Sequence, residues 1–185
     1  YSEGVRYFEV RYAPQLHASA DASFDICAVN AAVDRGLRRA RDEFNAELRT
    51  SGRDEPMYDY AIINCAMRMI FPGMSRYFDA LSAVHPNEPP KHVRQLASFA
   101  MVRAAVASRE SGIPLVAIDI AGAENSFEAK EHVEAFKLAH KHFICKTVHA
   151  GEGSGPESIN QAVRDLYAER IGHGFHLFSQ SMVAS

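Results

Sequence analysis

The sequence contains no tryptophan and only three cysteines, and both features limit the classes of protein to which it can belong. Three is an odd number and the cysteines are widely spaced, so neither a disulfide framework nor a CxxC zinc site is indicated. Cys65 and Cys145 lie inside apolar runs, and we expect both to be buried free thiols in a reducing compartment. This cysteine usage predicts a cytoplasmic protein.

An excess of basic charge and long apolar runs are also missing. The formal net charge is −3 and the pI is about 6.3, which predicts neither a nucleic acid nor an anionic membrane as partner. We find no apolar run long enough to span a bilayer and no secretory signal peptide. The chain of 185 residues is 47% hydrophobic and 23% charged, so it can bury a core. We expect residues 1–185 to form a single domain, and the strand-like pattern that follows Tyr1 at once suggests the middle of a longer protein.

Short β-rich runs alternate with segments of helical periodicity along most of the chain. The predicted strands are residues 5–14, 58–67, 114–122, 143–151 and 169–174. The predicted helices are 24–48, 91–110, 126–142 and 156–169, with a short helix near 75–81 inside the loop-rich segment 71–90. This alternation predicts parallel β/α units, arranged either as an open doubly wound sheet or as a closed (β/α)₈ barrel. No GxGxxG or GxxxxGKS/T motif follows a strand, which weakens the nucleotide-binding version of the open sheet.

Polar residues cluster where the predicted strands end, and this favours the barrel. In a (β/α)₈ barrel the chemistry lies at the carboxyl ends of the strands, whereas packing alone does not require polar groups there. The residues at these ends are Glu9, Arg11, Arg68, Asp119, His149, Glu152 and His173.

The stretch TVHAGE at the end of the fourth predicted strand carries the most informative pair. Neutral imidazole is a common zinc ligand, so His149 is a candidate metal ligand, although a hydrogen-bonded rim histidine is the alternative. Gly151 allows a tight turn that can direct Glu152 into the same cavity. A partly buried carboxyl at that position can donate a proton to a substrate nitrogen.

Three further residues are weaker candidates. His173 lies between two glycines in IGHG, where a ligand can approach closely, so it can polarise or deprotonate a water molecule. Asp119 lies within an apolar strand and needs a partner if buried, so it either supports a functional residue or forms a salt bridge. Gly122 offers a backbone N–H just past the same strand.

The sequence also predicts one ion pair and one exposed histidine. Glu9 and Arg11 share one strand face and are predicted to form an ion pair with each other. Among the remaining histidines, His132 is expected to be exposed to solvent.

The order VRYFEVRYAP, NCAMR, VAIDIAGAE, KTVHAGE and RIGHG resembles the adenosine deaminase family of the amidohydrolase superfamily. The resemblance implies a zinc-dependent (β/α)₈ barrel, of which this chain supplies an incomplete portion of about five β/α units, corresponding to barrel strands two to six. It also implies hydrolysis of the 6-amino group of adenosine or deoxyadenosine to give inosine and ammonia, with a small purine nucleoside as the ligand.

The resemblance also implies roles for single residues. His149 matches the family's zinc-ligand histidine, and Glu152 matches the proton donor to the purine ring. His173 matches the histidine that orients and deprotonates the zinc-bound water, Gly122 matches a backbone group that contacts the purine, and Asp119 is a supporting residue. The HxE and PCxxC arrangement of the cytidine-deaminase fold is absent from the sequence.

The sequence departs from the family pattern in its metal ligands. The family's His-x-His pair and its late aspartate ligand have no counterpart in this chain, so the other zinc ligands are expected outside it and the segment alone is expected to be inactive. One alternative substrate is a related 6-aminopurine: adenine, AMP or an N6-modified adenosine. A second alternative is a non-catalytic barrel fragment that binds purines or a partner protein. The sequence leaves the oligomeric state and the role of segment 71–90 open.

Overall fold

Five parallel strands form one sheet in the computed structural model, which describes residues 3–19 and 22–179. The strands follow one another in chain order, and each pairs in parallel with the next. They are β1 (Tyr7–Tyr12), β2 (Asp59–Met67), β3 (Leu115–Ala121), β4 (Cys145–Ala150) and β5 (Arg170–His173). All five predicted strands are therefore present, and the carboxyl ends of all five lie along the same edge of the sheet.

Helices connect the strands and cover the outer face of the sheet. They are α1 (Ile26–Ser51), α2 (Arg76–Val84), α3 (Pro90–Glu110), α4 (Val133–Lys141) and α5 (Pro156–Asp165). Short 3₁₀ turns occupy Pro14–Leu16, Ala22–Phe24 and Ala129–His132. The ends of α1 follow local chemistry: the Asp25 side chain accepts the N–H of Ala28, and Gly52 ends the helix with a φ of 66°. No helix within the described residues is long and apolar enough to cross a membrane.

The apolar core lies between the sheet and its helices. Strands covered on one face by helices and on the other by the barrel interior become nearly continuous apolar runs, as in YAIINCA of β2. Fully buried core residues come from both layers: Ile62, Met101, Ile118, Phe136 and Ile144. This packing fixes the strands rigidly and leaves their carboxyl ends to carry loops.

The sheet is curved enough for its two outermost strands to exchange a side-chain contact. Nη1 of Arg170 on β5 lies 2.6 Å from Oε2 of Glu9 on β1, although β1 and β5 are at opposite ends of the strand order. A contact between the ends requires a sheet rolled into about half of a closed barrel. The prediction of an incomplete portion of a TIM-type barrel is confirmed.

This contact also corrects one prediction about β1. Glu9 and Arg11 do share a face, but they do not form an ion pair with each other: Glu9 pairs with Arg170, and Arg11 lies 3.1 Å from Asp119. Both side chains point into the half-barrel, where groups on other strands are nearer than a neighbour two residues along the same strand.

Three other predictions differ from the structure. The helix expected over residues 126–142 begins as a 3₁₀ turn at Ala129 and becomes α-helical only at Val133, since Ser126 has a positive φ of 70°. Cys145 is exposed because it opens β4 at the amino end of the strand, whereas Cys65 is buried as expected. His132 is buried, because the 3₁₀ turn presses it against α3, where its Nδ1 lies 2.6 Å from Oγ of Ser98.

Candidate active site

Four of the predicted site residues lie side by side at the carboxyl edge of β3, β4 and β5. Oδ2 of Asp119 lies 2.9 Å from Nδ1 of His149. The ring centroids of His149 and His173 are 5.3 Å apart, and Nε2 of His173 lies 3.4 Å from Oε2 of Glu152. Parallel pairing brings these residues together, since Ala150 of β4 is paired with His173 of β5. The structure therefore joins a carboxylate, two imidazoles and a second carboxylate in one continuous row.

Asp119 is the buried end of this row. Its side chain is fully buried, so its negative charge must be compensated within the protein. Arg11 supplies a positive charge at 3.1 Å, and His149 lies on the other side. The predicted salt bridge is therefore present, and Asp119 also lies beside His149, the residue that it is predicted to support. Burial raises the pKa of the Cys65 thiol, and the carboxylate of Asp119, whose Oδ2 lies 3.9 Å from Sγ of Cys65, raises it further.

His149 packs directly against Gly172 of β5. A Cβ on Gly172 would lie 3.4 Å from both Cα and Cγ of His149, at the limit of ordinary van der Waals contact. Nδ1 of His149 is buried and lies 2.9 Å from Oδ2 of Asp119, although the angles there do not complete a hydrogen bond. The ring therefore sits beside its carboxylate partner with a polar atom whose hydrogen bond is incomplete.

Glu152 and His173 form the exposed end of the row. Their side chains are 54% and 30% exposed, so the expectation that Glu152 is partly buried differs from the structure. The backbone is left-handed at His173 and at Gly151, the residue before Glu152. Gly151 has a φ of 71°, and His173 has a φ of 66°, which is uncommon for a residue with a side chain. Non-glycine residues in this region are strained and concentrate at functional sites.

Gly122 lies at the same edge, one residue past β3, and takes a φ of 107°. A Cβ at this position would lie 2.6 Å from Sδ of Met69, so no larger residue fits without displacement. The next amide, that of Ala123, donates to the same sulfur at 3.2 Å. Gly122 is therefore placed beside the row, in a backbone conformation available mainly to glycine.

Glu124 is a site-edge residue that sequence reasoning missed. Its carboxylate accepts four consecutive backbone N–H groups, those of residues 151–154, and the hydroxyl of Ser158. Burial raises the pKa of Glu124, but the Ser158 hydroxyl and the backbone amides outweigh it and lower the pKa to about 2. Glu124 follows Gly122 by two residues in AIDIAGAE, so the sequence shows that it lies just past a strand. The sequence does not show its hydrogen-bond partners, which lie 27 to 34 residues later in the chain.

Arg68 was noted only as a polar residue after the second strand, yet it is almost fully buried. Its guanidinium donates to the carbonyl oxygens of Phe127 and His149, each at 2.6 Å. Burial lowers its pKa, and the nearby charges of Glu124 and Asp119 partly offset that effect. A buried arginine bound to two backbone carbonyls holds loops in place, and one of these carbonyls belongs to His149.

The donor groups of the row suit a zinc ion only in part. Imidazole nitrogen and carboxylate oxygen are zinc donors, and a carboxylate beside one ring nitrogen is the usual support for a metal-bound histidine. His149 beside Asp119 fits that arrangement, with Nε2 as the nitrogen that does not face the carboxylate. Within residues 3–19 and 22–179, no group of three or more His, Cys, Asp or Glu residues is arranged to hold a metal.

Comparison with known proteins places this geometry in a family. The family model for adenosine deaminase matches residues 1–183. An adenosine deaminase from Haemophilus ducreyi is 33% identical over 181 residues, which covers 98% of this chain and 42% of that protein. One from Salmonella typhimurium is 33% identical over 171 residues, covering 92% of this chain and 40% of that protein. The chain thus spans about two fifths of the length of the curated relatives it matches.

Solved structures support the fold at lower sequence identity. A zinc-bound amidohydrolase from Burkholderia ambifaria superposes with a TM-score of 0.68 at 19% identity, covering 97% of this chain and 39% of that one. The N6-methyl-AMP deaminase from Arabidopsis thaliana superposes with a TM-score of 0.64 at 20% identity, covering 98% of this chain and 44% of that one. The resemblance found in the sequence is therefore confirmed, and the chain belongs to the adenosine deaminase family.

Proposed function

We propose that the protein carries the central part of a zinc-dependent deaminase that hydrolyses adenosine or deoxyadenosine to inosine and ammonia. The observation that carries this proposal is the row formed by Asp119, His149, His173 and Glu152 at the carboxyl edge of the sheet. It combines an imidazole supported by a carboxylate, a second imidazole and an exposed carboxyl within contact distances. Membership in the adenosine deaminase family supplies the reaction to which these groups are suited.

The proposed reaction replaces the 6-amino group by oxygen. A water oxygen bonds to C6 of the purine while His173 accepts one proton of the attacking water and Glu152 donates a proton to the adjacent ring nitrogen, so that charge does not build up on the ring. The proton on His173 then passes to the 6-amino group, the C6–N6 bond breaks and ammonia leaves. The remaining hydroxyl proton on C6 returns to the Glu152 carboxylate as the C6 carbonyl of inosine forms. The backbone N–H of Gly122 contacts the purine. The exposure of Glu152 and His173 suits groups that meet a substrate rather than the core.

His149 is the proposed zinc ligand of this chain. Its imidazole would hold the ion, with Asp119 fixing the ring, and the other ligands would come from residues outside this chain. A bound zinc ion supplies Lewis-acid chemistry, since it lowers the pKa of water toward neutrality. The zinc-bound amidohydrolase among the structural neighbours supports the assignment of this metal.

A related 6-aminopurine is the second candidate substrate. Two structural neighbours are described as an adenine deaminase from Arthrobacter aurescens and an N6-methyl-AMP deaminase from Arabidopsis, so the same half-barrel occurs with different purines. We further propose a cytoplasmic location and a single barrel domain that includes residues 1–185.

The proposal is tested with zinc-loaded protein and its Glu152→Gln variant, each produced together with the barrel segments that supply the other zinc ligands, because residues 1–185 alone are expected to be inactive. We expect adenosine turnover by the wild type, followed at the wavelength where adenosine and inosine absorb differently, and a loss of roughly 10²- to 10⁴-fold in kcat in the variant. Glu134→Gln is the control, because Glu134 is an exposed residue on α4, remote from the row. Turnover that persists in Glu152→Gln would overturn the proton-donor role. A zinc-loaded wild type without turnover of any 6-aminopurine would favour the alternative of a non-catalytic, purine- or partner-binding barrel.

A further inference from the structure

We propose that Arg68 and Glu124 are positioning residues that fix the turn between His149 and Glu152 from its two sides. Arg68 holds the carbonyl at the start of the turn, and Glu124 holds the amides at its end. Both side chains contact the backbone of the row residues, through the carbonyl of His149 and the amide of Glu152. The inference rests on the proposed function, because it concerns the placing of the two groups to which that function assigns the metal and the proton.

The amide side of the turn converges on a single carboxylate. The N–H of Gly151 donates to Oε1 of Glu124 at 2.8 Å. The N–H groups of Glu152, Gly153 and Ser154 all donate to Oε2, at 2.9, 2.7 and 2.9 Å. Four successive amides cannot point at one anion unless the backbone bends around it, so the carboxylate defines the path of the turn.

The carbonyl side is held by a buried cation. Nη2 of Arg68 donates to the carbonyl oxygen of His149 at 2.6 Å, and Nη1 donates to that of Phe127 at the same distance. The planar guanidinium binds both oxygens in a fixed geometry, unlike a lysine ammonium. Because Phe127 lies in the loop that follows Glu124, Arg68 also anchors the segment that carries the carboxylate.

The contacts made by Arg68 and Glu124 together restrict the position of Glu152. The turn from His149 to Glu152 spans three peptide bonds, and its first carbonyl and last amide are bound to side chains from the loops that follow β2 and β3. Hydrogen bonds to charged groups are roughly twice as strong as those between neutral groups. An exposed loop held this firmly keeps the carboxyl of Glu152 beside His173, whereas an unheld loop of the same length would sample many positions.

The consequence for activity is a specific kinetic pattern. Misplacing a reacting group by about 1 Å can cost about 10²-fold in rate without preventing substrate binding. In Glu124→Gln the side chain keeps its size, but one acceptor oxygen becomes an NH₂ donor that faces backbone N–H groups. We expect kcat to fall about 10²-fold while KM stays within about 3-fold of the wild type. Glu128→Gln is the matched control, because Glu128 is an exposed glutamate of the same loop whose partner is the exposed Lys130.

A direct measurement of the turn separates this inference from the proposed function. In ¹⁵N-labelled protein, the amides of Gly151 and Gly153 should resonate at unusually low field, and both should move in Glu124→Gln and remain in place in Glu128→Gln. The same amides should be protected from hydrogen exchange in the wild type, a readout that needs no variant and holds even if Glu124→Gln does not fold.

The outcomes are distinct. A wild type that turns over no 6-aminopurine but shows protected, low-field amides at Gly151 and Gly153 would overturn the proposed function and would support the proposal that Arg68 and Glu124 fix the turn. An active wild type whose Gly151 and Gly153 amides exchange as fast as those of a free loop would overturn the proposal that Arg68 and Glu124 fix the turn. A Glu124→Gln variant that folds and keeps the kcat of the wild type would overturn the positioning role.

Discussion

Substituting Gly151 by alanine tests whether the turn has room for a side chain. Gly151 has a φ of 71°, and a Cβ there would lie 2.6 Å from Cδ1 and 2.8 Å from Cγ1 of Ile159, a buried residue of α5. The left-handed backbone costs a residue with a Cβ about 1–2 kcal/mol. Forcing an extra methyl into a packed contact costs about 1–3 kcal/mol more. We therefore expect Gly151→Ala to lower the free energy of unfolding by about 2–5 kcal/mol.

Gly52→Ala supplies the control that separates the two costs. Gly52 has a nearly equal φ of 66°, but a Cβ there would meet no atom within 4 Å. This variant should lose only the backbone cost of about 1–2 kcal/mol. The difference between the two variants measures the contact with Ile159. Both free energies are obtained from urea denaturation monitored by circular dichroism, with equal m-values as the condition for comparing them.

A double variant sharpens the test. Ile159→Val removes Cδ1, the atom closest to the added methyl, so it should be less harmful in the Gly151→Ala background than in the wild type. The coupling energy of the cycle should therefore be stabilising by roughly 0.5–2 kcal/mol. Equal losses in Gly151→Ala and Gly52→Ala, together with additive effects in the cycle, would refute the steric argument and leave only backbone strain.

Four further predictions concern pH, thiol reactivity and metal binding. Burial and nearby arginines lower the pKa of His132 to about 3, so the unfolded state takes up a proton at a higher pH than the folded state does. The free energy of unfolding should therefore fall by about 1.4 kcal/mol per pH unit as the pH drops from 6.5 toward 3. Urea denaturation at several pH values should show a weaker dependence of this free energy on pH in His132→Gln. Glu124, with a lowered pKa of about 2, adds up to about 3 kcal/mol that is present above pH 4.5 and lost as the pH falls toward 2; Glu124→Gln should abolish this loss. Exposed Cys145 should react with a thiol reagent in the native protein and buried Cys65 only after unfolding, so peptide mapping that finds Cys65 labelled first would contradict the structure. Asp119→Asn should weaken zinc binding by about 10- to 100-fold in competition with a chelator while the circular dichroism spectrum is retained; an unchanged affinity would show that Asp119 does not support the ligand.

Local patterns predicted the elements and most of their order. The runs rich in Val, Ile, Tyr and Phe became strands because parallel strands are buried on both faces and must be apolar. Short-range capping residues set helix ends close to their predicted positions, as at Gly52 and at Pro90. Predictions failed where a side chain's surroundings come from elsewhere in the chain. His132 follows a charged stretch yet is buried against α3, and Cys145 begins an apolar run yet is exposed.

The candidate site was likewise predicted in its local features and not in its tertiary contacts. The sequence by itself determined that His149, Glu152 and His173 lie at or just past the carboxyl ends of strands, because strand-forming runs and turn glycines are local features, and it determined the family. Only the tertiary structure decided that Asp119 lies 2.9 Å from His149, that Glu9 pairs across the half-barrel with Arg170, and that Glu124 and Arg68 hold the turn. These partners are separated by 27 to 161 residues along the chain. Such contacts depend on the register and curvature of the sheet, since shifting a strand by one residue would turn each of its side chains to the opposite face.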